Sequence, residues 1–223
     1  MILSADDAPR VAQILVGLDA VRIAFGQPFF YTSGWASPVY VDAQVLMWNV
    51  AMRSEVMDIA ARVIKPVIEA QGINAIVGTE SSGIAFAAWL AERLSLPMLY
   101  LRKRPVGWGM TAQLEGKMPQ DARMLLVDDV TTDGRSKAGA VAALRQAGPV
   151  VADVFVLLDY ALYTAEARMP ADPSLSLHAL ARWQHLHDAL ITSGRLDAAQ
   201  ARTLSTFAQD PVGWSIHHGG TGA

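Results

Sequence analysis

The stretch Leu125-Leu126-Val127-Asp128-Asp129-Val130-Thr131-Thr132-Asp133-Gly134-Arg135-Ser136 runs from apolar residues through two carboxylates into a polar, glycine-containing turn. Met124 to Val127 suits a buried strand, and Ser136 to Gln146 suits the helix that follows. Ligands of open α/β sheets bind beyond the carboxyl ends of the strands. A turn at that place offers a phosphate its backbone N–H groups, the hydroxyls of Thr131, Thr132 and Ser136, and a helix N-terminus. Two adjacent carboxylates there can accept from sugar hydroxyls or hold a metal-bound water. The same letters also fit an ordinary helix N-cap. Neither the Walker A spacing nor the GxGxxG fingerprint is present, which excludes two common nucleotide-binding loops.

On both sides of this stretch, apolar runs alternate with helical patterns. Ile73 to Gly78, Met98 to Leu101 and Val150 to Leu158 read as buried strands, and Gly83 to Leu94 as a helix. The alternation predicts an α/β fold with a central parallel sheet flanked by helices. Towards the N-terminus, Val11, Ile14, Leu15, Leu18, Val21 and Ile23 predict one helix from Pro9 to Phe25, ended by Gly26-Gln27-Pro28. Phe29 to Asp42 reads as two short extended pieces around a turn, a flap rather than core. Residues 51–71 form a helix interrupted or ended near Pro66. Arg102 to Met118, rich in glycine and cations, reads as a long mobile loop. Leu180 to Phe207 reads as helical, and His217 to Ala223 as a fraying tail. One domain over residues 1–223 accounts for this order, with an N-terminal hood over 1–45, a core over 46–160 and a C-terminal helical extension over 161–223.

Composition limits the function classes. The 18 basic and 21 acidic residues give a net charge of −3, so neither nucleic acid nor an acidic membrane surface is attracted in general. Cysteine is absent, which removes thiol nucleophiles, disulfides and cysteine-ligated metal. His178, His185, His187, His217 and His218 show no HExxH spacing and read as surface or packing residues. No apolar run approaches the roughly 18 residues of a membrane span, and the cytoplasm is the default compartment.

The strand, acid pair and Thr/Gly/Ser turn resemble the motif of the type I phosphoribosyltransferases, which use phosphoribosyl pyrophosphate (PRPP). Ser33-Gly34 and Ser37-Pro38-Val39-Tyr40 resemble the base-covering segment of the orotate phosphoribosyltransferases, and so does the order of segments from about residue 10 to Asp210-Pro211-Val212-Gly213-Trp214. The resemblance implies that Asp128 and Asp129 contact the ribose hydroxyls. It implies that Thr131, Thr132, Asp133, Gly134, Arg135 and Ser136 cradle the 5′-phosphate, and that Val130 also belongs to the PRPP site. Gly78-Thr79-Glu80-Ser81-Ser82-Gly83 matches the pyrophosphate loop, giving Glu80, Ser81 and Ser82 to PRPP, with a cis peptide expected between Glu80 and Ser81. Read alone, Glu80 fits a general base or metal ligand, and more commonly a capping or solvated carboxylate. Thr32, Ser33, Tyr40, Thr132 and Tyr160 fall to the base.

The basic run Arg102-Lys103-Arg104 matches the start of the family's closing loop, which reaches into a neighbouring subunit's site and implies a homodimer. Arg102 and Lys103 match the pattern. Val106 stands at a catalytic lysine, Trp108 at a histidine, Thr32 at a lysine, and Tyr160 where many relatives have an arginine. Arg104, two residues before Val106, is the candidate catalytic substitute beside Asp128 and Asp129. Magnesium is expected to travel on PRPP, with no direct side-chain ligand. Transfer to orotate, transfer to another base, and PRPP binding without turnover are the three readings this pattern leaves open.

Overall fold

The computed structural model describes residues 5–24, 26–31, 33–105, 113–163, 172 and 174–222. The N-terminal helix α1 spans Asp7–Gly17 and stops well before Phe25. Leu18 caps it and Asp19 takes φ +58°, which turns the chain. Val21–Ile23 is instead strand β1, so its apolar residues continue the helical spacing by coincidence. Strands β2 (Phe29–Phe30) and β3 (Ala36–Ser37) form a small hairpin, and β4 (Val39–Val41) pairs antiparallel with β1. This hood is more than a flap: Trp35, Ala36 and Val39 are wholly buried.

A 3₁₀ turn over Ala43–Met47 leads to α2, Val50–Gln71, whose Asn49 cap accepts from the Met52 N–H at 3.1 Å. The helix continues through Pro66, contrary to the sequence reading. Interior proline costs about 3 kcal/mol or more. Val56, Met57, Ala60, Val63, Ile64 and Ile68 form one buried stripe on both sides of it, and each such side chain returns about 1.5–3 kcal/mol on burial.

The core then alternates as expected: β5 (Ala75–Thr79), α3 (Ser82–Leu94), β6 (Met98–Leu101), β7 (Leu114–Glu115), β8 (Arg123–Thr131), α4 (Arg135–Gln146) and β9 (Val150–Asp159). Residues 176–182, read as part of the helical extension, contain strand β10 (Ser176–Arg182). The six-stranded sheet has the order β10-β9-β8-β5-β6-β7, parallel throughout except for β7, which pairs antiparallel with β6 at the edge. Both faces are covered, which is why β8 and β9 are nearly continuous apolar runs. Leu125, Val127, Phe155 and Leu157 pack with α1, α2, α3 and the C-terminal helices. Met124, Leu126, Val154 and Val156 pack with Val141 and Leu144 of α4.

The chain closes with α5 (Trp183–Thr192), α6 (Ala198–Gln209) and α7 (Pro211–His217). The segment after α7 docks on the hood rather than fraying. Ser215 Oγ accepts from Ala36 N–H at 3.0 Å and donates to the Thr221 carbonyl at 2.7 Å, while Thr221 N–H donates to the Gly34 carbonyl at 2.9 Å. A side chain at Gly220 would lie 2.5 Å from Ala36 N, so the chain passes there only as glycine.

Candidate active site

A cleft of about 740 Å³ opens beyond the carboxyl ends of β5, β6 and β8, where the fold places ligand sites. Its floor comes from β8. Asp128 Oδ1 accepts from the Asp129 N–H at 3.0 Å, and Asp129 Oδ1 from the Val130 N–H at 2.8 Å. Lys137, in the first turn of α4, forms an ion pair with Asp128 and approaches Ser136 Oγ at 3.2 Å. Burial, and then the neighbouring Asp128 carboxylate, push Asp129 up to about 6. The Thr131 hydroxyl is buried and, among the described residues, meets no hydrogen-bond partner.

From Thr131 the chain turns into α4 through Gly134, whose φ of +78° is costly for any residue with a Cβ. Thr131, Thr132, Asp133, Arg135 and Ser136 all line the cleft, and the α4 N-terminus gives it a positive end. Asp133 is nevertheless buried: its Oδ1 accepts from Arg135 N–H at 3.1 Å and its Oδ2 from the Trp35 indole N–H at 2.8 Å.

The second loop is brought beside the first by close packing of α3. A Cβ on Gly83 would lie 2.6 Å from the Val127 carbonyl oxygen, and one on Gly78 would lie 2.6 Å from the Gly83 carbonyl oxygen. Only glycines allow this approach. The Glu80–Ser81 peptide is cis, as the resemblance implies. Glu80 and Ser82 line the cleft and Ser81 does not. The Glu80 carboxylate accepts from the Lys103 N–H at 2.8 Å and so fastens the start of the basic run to the β5 loop.

Arg102 and Lys103 line the cleft, but the exposed Arg104 does not. Arg102 donates to Glu115 at 2.8 Å, and this hydrogen bond holds its guanidinium above the ordinary value. Gln113 Nε2 bonds the Arg102 carbonyl at 3.2 Å, so the two ends of the basic loop meet at its base. Val106 and Trp108, with the rest of 106–112, lie outside the described residues, as does Thr32.

The roof is aromatic. Phe30, Tyr31, Ser33, Tyr40 and Tyr160 line it, with Gln44 from the 3₁₀ turn. The Tyr31 hydroxyl donates to the Val39 carbonyl and stands 3.0 Å from the Tyr160 hydroxyl. Burial pushes Tyr31 up to about 12 and Tyr160 well above its ordinary value, so both stay neutral. The roof can therefore stack a flat ring and exchange hydrogen bonds with it, without a fixed charge of its own.

The sequence reading thus brings Asp128, Asp129, Val130, Thr131, Thr132, Asp133, Arg135, Ser136, Glu80, Ser82, Arg102, Lys103, Ser33, Tyr40 and Tyr160 to one cleft. Ser81, Gly134 and Arg104 fall outside its lining. It missed Lys137, Tyr31, Gln44, Gln113 and Trp35. A lysine in the first turn of a helix that follows an acid pair was the available signal for Lys137. Tyr31, Gln44, Gln113 and Trp35 needed the tertiary fold.

Residues 49–188 match the model of the phosphoribosyl transferase domain. The chain is 37% identical over 216 residues to the orotate phosphoribosyltransferase of Sinorhizobium medicae, covering 97% of this chain and 93% of that one. It is 38% identical over 208 residues to the orotate phosphoribosyltransferase of a Jannaschia species, covering 93% of this chain and 91% of that one. Among solved structures, the orotate phosphoribosyltransferase of Aeropyrum pernix superposes with a TM-score of 0.68 at 30% identity, over 84% of this chain and 99% of that chain.

Proposed function

The chain belongs to the orotate phosphoribosyltransferases, and from that premise we propose that it transfers the 5-phosphoribosyl group of PRPP to orotate. The products are orotidine 5′-monophosphate and pyrophosphate, a step of pyrimidine nucleotide synthesis. One observation carries the reading: a single cleft joins an acid pair, a phosphate-type turn, a second strand-to-helix loop and an aromatic roof.

Asp128 and Asp129 accept from the two ribose hydroxyls, with Lys137 paired to Asp128 and holding it in place. The turn from Thr131 to Ser136 and the α4 N-terminus hold the 5′-phosphate. Glu80 to Ser82 receive the pyrophosphate, mostly through backbone groups. The base lies under Tyr31 and Tyr40 with Ser33, Thr32, Thr132 and Tyr160 around it. Its nitrogen displaces pyrophosphate at the anomeric carbon through a loose, cation-like transition state, with no protein nucleophile. Positioning and charge stabilisation therefore do most of the work.

Arg102, Lys103 and Arg104 approach the leaving pyrophosphate as the loop closes, and closure excludes water. Among the described residues no group of three or more His, Asp or Glu gathers as a metal cage. The adjacent carboxylates suit a hydrated magnesium ion carried by PRPP, with Asp128 and Asp129 accepting from its waters. Such an ion would neutralise charge on the pyrophosphate. We place the protein in the cytoplasm as a homodimer whose loops serve each other's clefts; no helix among the described residues is long and apolar enough to cross a membrane.

The test is a turnover assay of the purified protein with PRPP, magnesium and orotate, alongside uracil and purine bases. Orotate-dependent release of pyrophosphate is the expected result. Binding of PRPP with turnover of no base, or preference for a different base, would overturn the reading.

A further inference from the structure

Asp133 is a carboxylate in the turn that the proposed function gives to the 5′-phosphate. A carboxylate facing a phosphate in one cradle would repel it. The structure turns this one away. Its side chain is 5% exposed and stands 3.7 Å from Arg135 Nε. One oxygen is fixed locally by the Arg135 N–H, and the other receives the Trp35 indole N–H at 2.8 Å. Among the described residues, this is the one hydrogen bond to Asp133 that comes from outside the turn.

Trp35 is itself held on every side. It is fully buried, its carbonyl accepts from the Tyr31 N–H at 2.9 Å, and its ring centroid lies 4.7 Å from that of Tyr163. The Arg135 guanidinium sits 5.9 Å from the ring centroid on the side of the turn. The donor is therefore rigid, and it belongs to the segment that covers the base rather than to the phosphate turn.

We infer that Trp35 is a positioning residue for the 5′-phosphate: its indole N–H holds the Asp133 carboxylate out of the phosphate cradle. The hood thereby sets the affinity of a turn it does not itself belong to. This rests on the reading of the cleft as a PRPP site. The consequence is specific to one end of the ligand. Loss of the N–H frees a charge beside the 5′-phosphate and leaves the pyrophosphate loop at Glu80 untouched.

Trp35→Phe keeps a ring and removes the donor. Binding of ribose 5-phosphate and of pyrophosphate is measured by calorimetry for the parent, Trp35→Phe and Trp35→Phe/Asp133→Ala, with steady-state kinetics in PRPP. The single variant should lose at least fivefold in ribose 5-phosphate affinity, with pyrophosphate affinity within twofold. The KM for PRPP should rise while kcat at saturation stays within about twofold. The double variant should recover most of the ribose 5-phosphate affinity, because the freed charge is gone; a packing role for Trp35 would not be relieved in this way. Should the Phe variant not fold, the parent supplies the readout: the Trp35 indole N–H resonance should shift with ribose 5-phosphate and not with pyrophosphate. An unchanged affinity in Trp35→Phe, a double variant as weak as the single one, or an indole resonance indifferent to ribose 5-phosphate would each overturn the inference. A parent that binds no ribose 5-phosphate would instead sink the reading of the cleft itself.

Discussion

Lys137 and Asp128 form an ion pair at the floor of the cleft although their side chains are only 7% and 10% exposed. Removing one partner of such a pair strands a buried charge and costs about 3–5 kcal/mol. Lys137→Met should therefore lower the urea midpoint substantially. The double variant Lys137→Met/Asp128→Asn should recover most of that stability while turnover stays lost. A Lys137→Met protein of parental stability would show that the pair contributes nothing.

Asp129 gives a pH dependence with a definite sign. Its carboxyl titrates near 3.8 in the unfolded chain and about 6 in the fold, so the folded state holds more protons between those values. Stability from this group is complete below about pH 4 and is lost as pH rises through about 6. Asp129→Asn should raise stability at pH 7.5 by about 1–2 kcal/mol, less than the full shift implies because Asp128 and Lys137 readjust. At pH 4 the gain should vanish. Thermal melts at both pH values decide this, and kcat/KM of the parent should fall as pH drops through about 6 if Asp129 accepts from the ribose as proposed.

Gly83→Ala tests the approach of α3 to the sheet. The added methyl would meet the Val127 carbonyl at 2.6 Å and Thr79 Oγ1 at 2.7 Å, and the first of these is backbone that cannot swing aside. We expect a loss of about 1–3 kcal/mol in stability from overpacking. Pyrophosphate binding should weaken more than binding of ribose 5-phosphate. Calorimetry with the two ligands separates these effects.

Arg104 is exposed and stands outside the cleft lining, on the loop that the proposed function closes over PRPP. On that proposal, a guanidinium delivered to pyrophosphate in a closed site would stand in for the lysine that Val106 replaces. Arg104→Ala should then cost tenfold or more in kcat/KM, about 1.4 kcal/mol for each factor of ten. Val106→Lys added to it should restore part of the loss. A neutral Arg104→Ala in an active parent refutes the substitution.

Much of this site was legible because its chemistry is local. Strand, acid pair, turn and helix follow one another within Leu125 to Ser136, so spacing alone puts them at a strand end. Met98–Leu101 was read with the bounds of β6, as four consecutive residues suited to a buried parallel strand. β10 was not legible, since Ser-Leu-His-Ala-Leu-Ala-Arg holds no β-branched or aromatic residue and favours a helix locally. Its strand form comes from pairing with β9, a long-range interaction. The Trp35–Asp133 bond was hidden for the same reason, because nothing in the local pattern of either residue names the other.

The docking of Thr221 on Gly34 bears on how the protein is made. The hood is synthesised early, but the strap that pins its turn lies nearly two hundred residues later along the chain. A growing chain can pair its sheet strands one after another, yet the hood turn at Gly34 remains unlatched until that strap has left the ribosome. Closure of the hood should therefore follow the pairing of the sheet rather than accompany the nascent core.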